Sequence, residues 1–281
     1  MRLGINMPYM QPDGTHPTSA DVVARAKLIE DAGFDGIWLG DPLSRTPTPR
    51  PDPLLWLTVC ATATTRIELG TSILQVPLRH PVELAQRLMT LHAVSGGRFR
   101  AGLGAGSTQR DFDAVGVDFA SRFKLLNEGV PLIKRLLAGE AVGAADLKPW
   151  RSAGKGPPIY IGSWESGLWV KRAARDYDGW MASAHSSLEG LAEGIRRFRD
   201  AGGTRAIVST IDVDLSQPES KLDPAEPFNL RCGPESARER LGMLADLGYD
   251  DALIVKMNHT EASLPQEDLL AIRALVPTEP A

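Results

Sequence analysis

The stretch Arg66–Gly106, RIELGTSILQVPLRHPVELAQRLMTLHAVSGGRFRAGLGAG, parses as strand, helix, strand. Ile67, Leu69, Ile73, Leu74 and Val76 form an apolar, partly β-branched run that should pair as one strand until Pro77, which has no N–H for a ladder. Pro81 suits the first turn of a helix, Leu84, Leu88 and Leu91 recur at helical spacing, and Gly96 with Gly97 offers a left-handed terminus. Residues 99–106 are then an apolar strand running into glycines. Two strands joined by a helix of this length run parallel with a right-handed crossover, so Gln75 and Gly104 should open on the same side. That side is where chemistry is expected.

Working outward, the same unit repeats. Strands are expected at residues 3–7, 34–41, 157–163, 179–182, 205–215 and 252–255, with helices between them, including one opened by a capping box of Thr18 and Asp21. Asp31-Ala-Gly-Phe-Asp and Asp246-Leu-Gly-Tyr-Asp share one grammar: an acid at a helix end, a terminating glycine, an aromatic, an aspartate, then a strand. Repeated helix-to-strand junctions at one phase imply parallel βα units. Eight of them imply an α/β fold, a (β/α)8 TIM barrel with insertions at its C-terminal face. Residues 107–121 are expected to be a loop or lid, and residues 122–137 a helix with Leu125, Val130, Ile133 and Leu137 inward. Residues 141–156 read as an insertion, and residues 42–53, with five prolines, as a rigid loop.

A chain of 281 residues with 43% hydrophobic content can bury one large core, so residues 1–281 are expected to form a single domain. The formal net charge of -4, with no Lys/Arg cluster, argues against a nucleic-acid partner. Cys60 and Cys232 make no CxxC or metal-binding pattern and suit buried positions in a reducing cytoplasm. MRLGINMPYM is too short and polar for a signal peptide, and no apolar run reaches a membrane span. A cytoplasmic protein without membrane contact is expected.

In such a barrel the functional groups lie at the C-terminal ends of strands. Here those ends carry Asp41, the run from Thr71 to Gln75, Gly104 to Gly106, Gly162 with Ser163, Ala184 with His185, and Asn258 with His259. No metal-ligand cluster, nucleophile elbow or Lys/Glu pair is visible among them. Small residues prevail instead. Glycines admit a flat ring or a phosphate close to backbone, and Gly162-Ser163, just before a helix, could offer amide N–H groups and a hydroxyl to a phosphate. Asp41 could equally cap a turn, His80 could be a helix cap, and His92, late in a helix, could interact with the helix dipole.

Four motifs in order, GFDGIWLGD (33–41), RIELGTSILQVPLRHP (66–81), LHAVSGGRF with GLGAG (91–106) and RAARDYDGW (172–180), resemble the bacterial luciferase-like flavin oxidoreductase superfamily, most closely its deazaflavin (coenzyme F420) branch. The resemblance implies a bulge with a non-proline cis peptide at Ser72-Ile73 behind the cofactor ring. It further implies Asp41, Thr71 and Gln75 against the ring, and Ala105, Gly106, Gly162 and Ser163 toward the phosphate-bearing tail. In several deazaflavin members a histidine follows the strand-two acid and a glutamate follows the strand-four glycines; Pro42 and Ser107 stand here, against sugar-phosphate dehydrogenation. The expected activity is hydride transfer between F420 and a small organic substrate, with His185 or His259 exchanging a proton. Phe112, Phe119 and Phe228, on the long open-face loops, suggest an apolar or mixed substrate. The alternatives are an FMN-dependent two-component monooxygenase supplied by a separate reductase, and a flavin-binding barrel without turnover. A homodimer is expected from the same resemblance.

Overall fold

The computed structural model describes residues 1–11, 14–44, 50–148, 150, 154–165, 167–256 and 265–276. In chain order the elements are β1 (Arg2–Asn6), α1 (Ser19–Asp31), β2 (Gly36–Leu39), α2 (Pro53–Ala63), β3 (Glu68–Thr71), β4 (Leu74–Gln75), α3 (Pro81–Val94), β5 (Phe99–Gly104), α4 (Gln109–Val115) and α5 (Arg122–Leu137). They continue as β6 (Ile159–Gly162), α6 (Leu168–Asp176), β7 (Gly179–Ser183), α7 (Leu188–Asp200), β8 (Ala206–Asp212), α8 (Pro234–Leu247), β9 (Asp251–Val255) and α9 (Gln266–Arg273). One parallel sheet runs β3-β2-β1-β9-β8-β7-β6-β5-β4, and β3 also pairs with β5. β3 and β4 are two pieces of one strand position, since Leu69 stands opposite Phe99 and Leu74 opposite Leu103 on the same partner. Nine short strands therefore make the eight-stranded (β/α)8 barrel. The expected unbroken strand of residues 67–76 is interrupted at Ser72–Ile73, whose peptide bond is cis, and Val76–Leu78 forms a 3-10 turn instead of strand.

The chain packs as two compact units, residues 1–38 with 163–281, and residues 39–162. In the first, the repeated grammar has a common physical meaning. Gly33 and Gly248 adopt positive φ after α1 and α8, the aromatics Phe34 and Tyr249 are buried, and each aspartate takes an amide in the first two residues of a neighbouring strand. Asp35 accepts Leu3 N–H and Asp250 accepts Ala206 N–H, which sets the strand register. Gly4 and Gly36 stand opposite each other on β1 and β2, and the buried Trp38 indole fills the space where both would carry Cβ, 2.7 and 2.5 Å away. A rigid indole cannot yield by that much, so Gly36→Ala is expected to cost about 1–3 kcal/mol. A thermal melt indistinguishable from wild type would contradict this packing.

In the second unit Arg98 closes the end of α2 by donating to the Ala61, Thr64 and Ile67 carbonyls and to Thr64 Oγ1, a cation placed at a helix C-terminus. Two sequence expectations change here. Residues 107–121 are not one loop: α4 forms over Gln109–Val115 and ends on Gly116 at φ 71°. Its amphipathic signal is only two residues long, Asp111 and Phe112 being the buried pair, too short for periodicity to register. In α5 it is Leu126, not Leu125, that joins Val130, Ile133 and Leu137 in the core. Residues 141–156 carry only the Val142–Ala145 bridge among those described, in keeping with an insertion.

Candidate functional site

The loops after β2, β4 and β5 are held by a buried polar brace within the second unit. Asp41 lies two residues past β2 and is 6% exposed. Both its carboxylate oxygens accept from Arg79, at 2.5 and 2.7 Å, and Oδ2 also accepts Gln75 N–H at 2.9 Å. Gln75 donates its side-chain amide to the Asp41 carbonyl and to Asp111 Oδ2, and Asp111 accepts Ser44 N–H. Both neighbours of the amide nitrogen are acceptors, so the orientation of Gln75 is fixed by chemistry. Its Oε1 is buried without a partner and lies 2.3 Å from where Gly106 would carry Cβ. Gly106, at φ 81°, is therefore required for two reasons, backbone and space. Thr71 is wholly buried and donates to the Gly102 carbonyl at 2.8 Å.

Burial pushes the Asp41 carboxyl above its ordinary value of 3.8, outweighing the Arg79 guanidinium and the Gln75 amide that pull it down. Burial also works against the Arg79 charge, yet the hydrogen bonds to Asp41 together with the negative charges of Asp41, Asp52 and Glu83 outweigh it and hold the guanidinium protonated. A raised carboxyl binds its proton more readily folded than unfolded. Its contribution is fullest below 3.8 and is lost as pH rises through the folded value. Asp41→Asn should remove that loss. Urea-unfolding free energies measured from pH 4 to 7 should fall more steeply with pH in wild type than in the variant, and parallel curves would refute the shift.

Ile73 sits where Gly104 and Gly162 would each carry Cβ, 2.0 Å from one position and 2.6 Å from the other. Ser72 and Ile73 are partly exposed, while the flanking Thr71, Leu74 and Gln75 are buried. The bare backbones of two strand ends thus seat one apolar side chain that reaches the surface of the unit. Ala105 is 8% exposed. The structure gives Gly104 and Gly162 a steric duty toward Ile73, a reason that composition did not reveal.

Ser163 is placed differently from its sequence reading. Its N–H is spent on the Met181 carbonyl, its Oγ accepts from Trp180 Nε1 at 3.0 Å, and α6 begins only at Leu168. It does not open the helix, which begins five residues later. His185 is exposed and follows β7, and His16 is exposed. His259 lies outside the described residues. His80 caps α3, its Nδ1 accepting Val82 N–H. His92 is 8% exposed with Nδ1 unpartnered, and burial lowers its imidazole pKa. It is a neutral core residue at neutral pH, so the expected dipole interaction of an imidazolium is not what places it. Phe112 is fully buried and stacks edge-on with Phe119 at 5.1 Å, which removes it from the expected substrate-facing aromatics.

Arg79 and Asp111, which complete the brace, were missed by sequence reasoning. Their partners lie 38 and 36 residues away, and no local spacing announces such contacts. Among the described residues no group of three or more His, Cys, Asp or Glu could hold a metal ion. No described helix is long and apolar enough to cross a membrane. Among the described residues, neither the brace nor the Ile73 seat includes a hydroxyl or thiol hydrogen-bonded to a side-chain base.

A parallel eightfold barrel supports many chemistries, and its class is set here by family membership. The chain belongs to the luciferase-like monooxygenase family, whose profile matches residues 1–215. An F420-dependent glucose-6-phosphate dehydrogenase from Kineococcus radiotolerans is 32% identical over 237 residues, 75% of this chain and 69% of that protein. Among solved structures, a monooxygenase from Streptomyces bottropensis superposes with a TM-score of 0.77 at 19% identity, covering 98% of this chain and 97% of that one. The oxygenating constituent of 3,6-diketocamphane monooxygenase from Pseudomonas putida, a type II Baeyer-Villiger monooxygenase in complex with FMN, gives 0.75 at 16% identity, with 97% and 96% covered. These two likenesses carry the fold. The chain is an enzyme, an oxidoreductase of the luciferase-like family.

Proposed function

We propose that the protein transfers a hydride between a deazaflavin of the coenzyme F420 type and a small organic molecule. The observation that carries this reading is the Ile73 seat: an apolar, partly exposed side chain held on two glycine backbones, which fits the face of a flat ring. The F420 dependence in the name of the Kineococcus relative supports deazaflavin over FMN. When bound, the deazaflavin supplies or accepts the hydride at a ring carbon. Ser72 and Ile73 would back the ring, with Asp41 and Gln75 keeping that seat rigid through the brace and Thr71 through its bond to the Gly102 carbonyl. Ala105, Gly106 and Gly162 would lie toward the tail, and Ser163 retains a hydroxyl proton to donate to it. His185 is the described candidate for exchanging a proton with substrate, and His259 is the other candidate. Pro42 and Ser107 cannot exchange the protons that a histidine and a glutamate would, which directs the reading away from sugar phosphates. A homodimer in the cytoplasm is the proposed setting, both cysteines being buried and outside any disulfide.

The rival reading is an FMN-dependent monooxygenase fed by a separate reductase, favoured by the family description and by the absence of that histidine and glutamate. Equilibrium fluorescence titration of the purified protein with F420 and with FMN at equal salt separates the two. Tighter F420 binding supports hydride transfer; tighter FMN binding supports the monooxygenase; failure of both sinks the cofactor assignment. His185→Ala should then lower turnover about 10²–10⁴-fold while leaving cofactor affinity unchanged. Unaltered turnover would remove His185 from the reaction.

A further inference from the structure

A cavity of about 240 Å³ lies at the C-terminal ends of β7 and β8, wholly within the first unit. Ala184, His185, Thr210, Asp212, Phe228 and Arg231 line it. Three observations mark it as a built site. Thr210 has φ 63°, a genuine outlier for a β-branched residue, and it sits in a bulge of β8 where three steps, Val208 to Ile211, match two on β9. Such strain is kept where the surroundings over-determine it. The loop that supplies Phe228 is pinned, since Phe228 N–H donates to the Ser186 carbonyl and the Ser186 hydroxyl donates to Glu165 at 2.6 Å. Segments following β6, β7 and β8 are thereby fixed in one geometry before any ligand arrives.

The chemistry of the lining selects the occupant. Ala184 and Phe228 are apolar and each 2% exposed. Arg231 already faces Asp212 at 3.5 Å, so a dianion entering here would meet a neutralised guanidinium and a repelling carboxylate. Thr210, His185 and Asn229, which also lines the cavity with Pro227, are the polar groups able to touch a hydroxyl or carbonyl. At 240 Å³ the cavity is below the about 300–1,000 Å³ of drug-sized sites.

We infer that this cavity binds the substrate and that the substrate is a small, uncharged, predominantly apolar alcohol or carbonyl compound, with Thr210 as a residue determining specificity. The substrate role rests on the hydride-transfer reading above; the selectivity of the cavity stands on its lining alone. Saturation-transfer NMR on the cofactor-free protein tests it, using cyclohexanone and glucose 6-phosphate as probes. Cyclohexanone should give transfer signals and glucose 6-phosphate should neither give them nor compete. Ala184→Leu, which fills the cavity, should abolish the cyclohexanone signal. Thr210→Gly, whose backbone suits φ 63°, should stay folded and bind cyclohexanone at least threefold more weakly, whereas a merely structural Thr210 would leave binding unchanged. If Ala184→Leu does not fold, Thr210→Gly decides alone. No cyclohexanone signal in wild type, undiminished signal in the folded variants, or competition by glucose 6-phosphate overturns the inference. F420 titration of the same samples keeps the outcomes apart: loss of cofactor binding with cyclohexanone selectivity intact would overturn the hydride-transfer reading and leave the cavity assignment standing.

Discussion

Asp41→Ala is expected to destabilise the protein by about 3 kcal/mol, the lower end of the 3–5 kcal/mol typical for stripping one partner from a buried ion pair. The pair is well sheltered, with side-chain exposures of 4% for Asp41 and 13% for Arg79, so solvent does little to compensate the stranded guanidinium. Asp52, whose Oδ2 lies 4.0 Å from Arg79, can take up part of the charge, which is why the lower figure is expected. The Gln75 amide would lose its acceptor as well. Asp41→Leu combined with Arg79→Met should recover part of the loss, because it removes both charges and leaves the Gln75 backbone N–H as the main unsatisfied group, at about 1–3 kcal/mol. Urea denaturation of the single and double variants measures both values. A single-variant cost below about 1 kcal/mol, or a double variant no better than Asp41→Ala, would show that the brace is not what holds these loops.

Gly106→Ala is the second large effect, at about 2–5 kcal/mol. A left-handed backbone costs a residue with a side chain about 1–2 kcal/mol, and overpacking adds about 1–3 kcal/mol. The added Cβ would stand 2.3 Å from Gln75 Oε1 and 3.1 Å from the buried Phe112 ring. Gln75 cannot swing aside freely, since its amide is committed to Asp41 and Asp111. Gly97→Ala is the matched control: φ is 86°, with nothing within 4 Å of the new methyl, so only the backbone cost of about 1–2 kcal/mol applies. The difference between the two in chemical denaturation isolates the packing contribution. Equal losses would mean that the Gln75 contact relaxes without cost. Because Gln75 anchors the frame beneath Ser72–Ile73, Gly106→Ala should also weaken F420 binding at least tenfold, while Gly97→Ala should leave it unchanged.

The architecture was legible in the amino-acid order because it rests on local signals. Thr18 and Asp21 do form a capping box, Pro81 does open α3, and Gly33 and Gly248 do end their helices at positive φ. Each of these is decided by a few neighbouring residues, and the repeated junctions add up to a parallel barrel. The motifs also marked Ser72–Ile73 before its cis geometry was seen, through family resemblance and not through periodicity. Short signals carried less: α4 has one buried pair, and in α5 Leu126 takes the inward place expected of Leu125 while Val130, Ile133 and Leu137 keep theirs.

By itself, then, the sequence determined the class of fold, the order of its elements, the side on which the strand ends open and the family. Tertiary structure alone decided which groups the candidate side chains meet. Asp41 and Thr71, expected beside a cofactor ring, hydrogen-bond with Arg79, Gln75 and Gly102, and Gly162 faces Ile73 across the strand ends. Thr210 gave no sign at all until β8 was seen to carry an extra residue against β9. The physical reason is range. Caps and turns are energies between residues three or four apart, whereas hydrogen-bond satisfaction and van der Waals exclusion are settled between residues that only folding brings together.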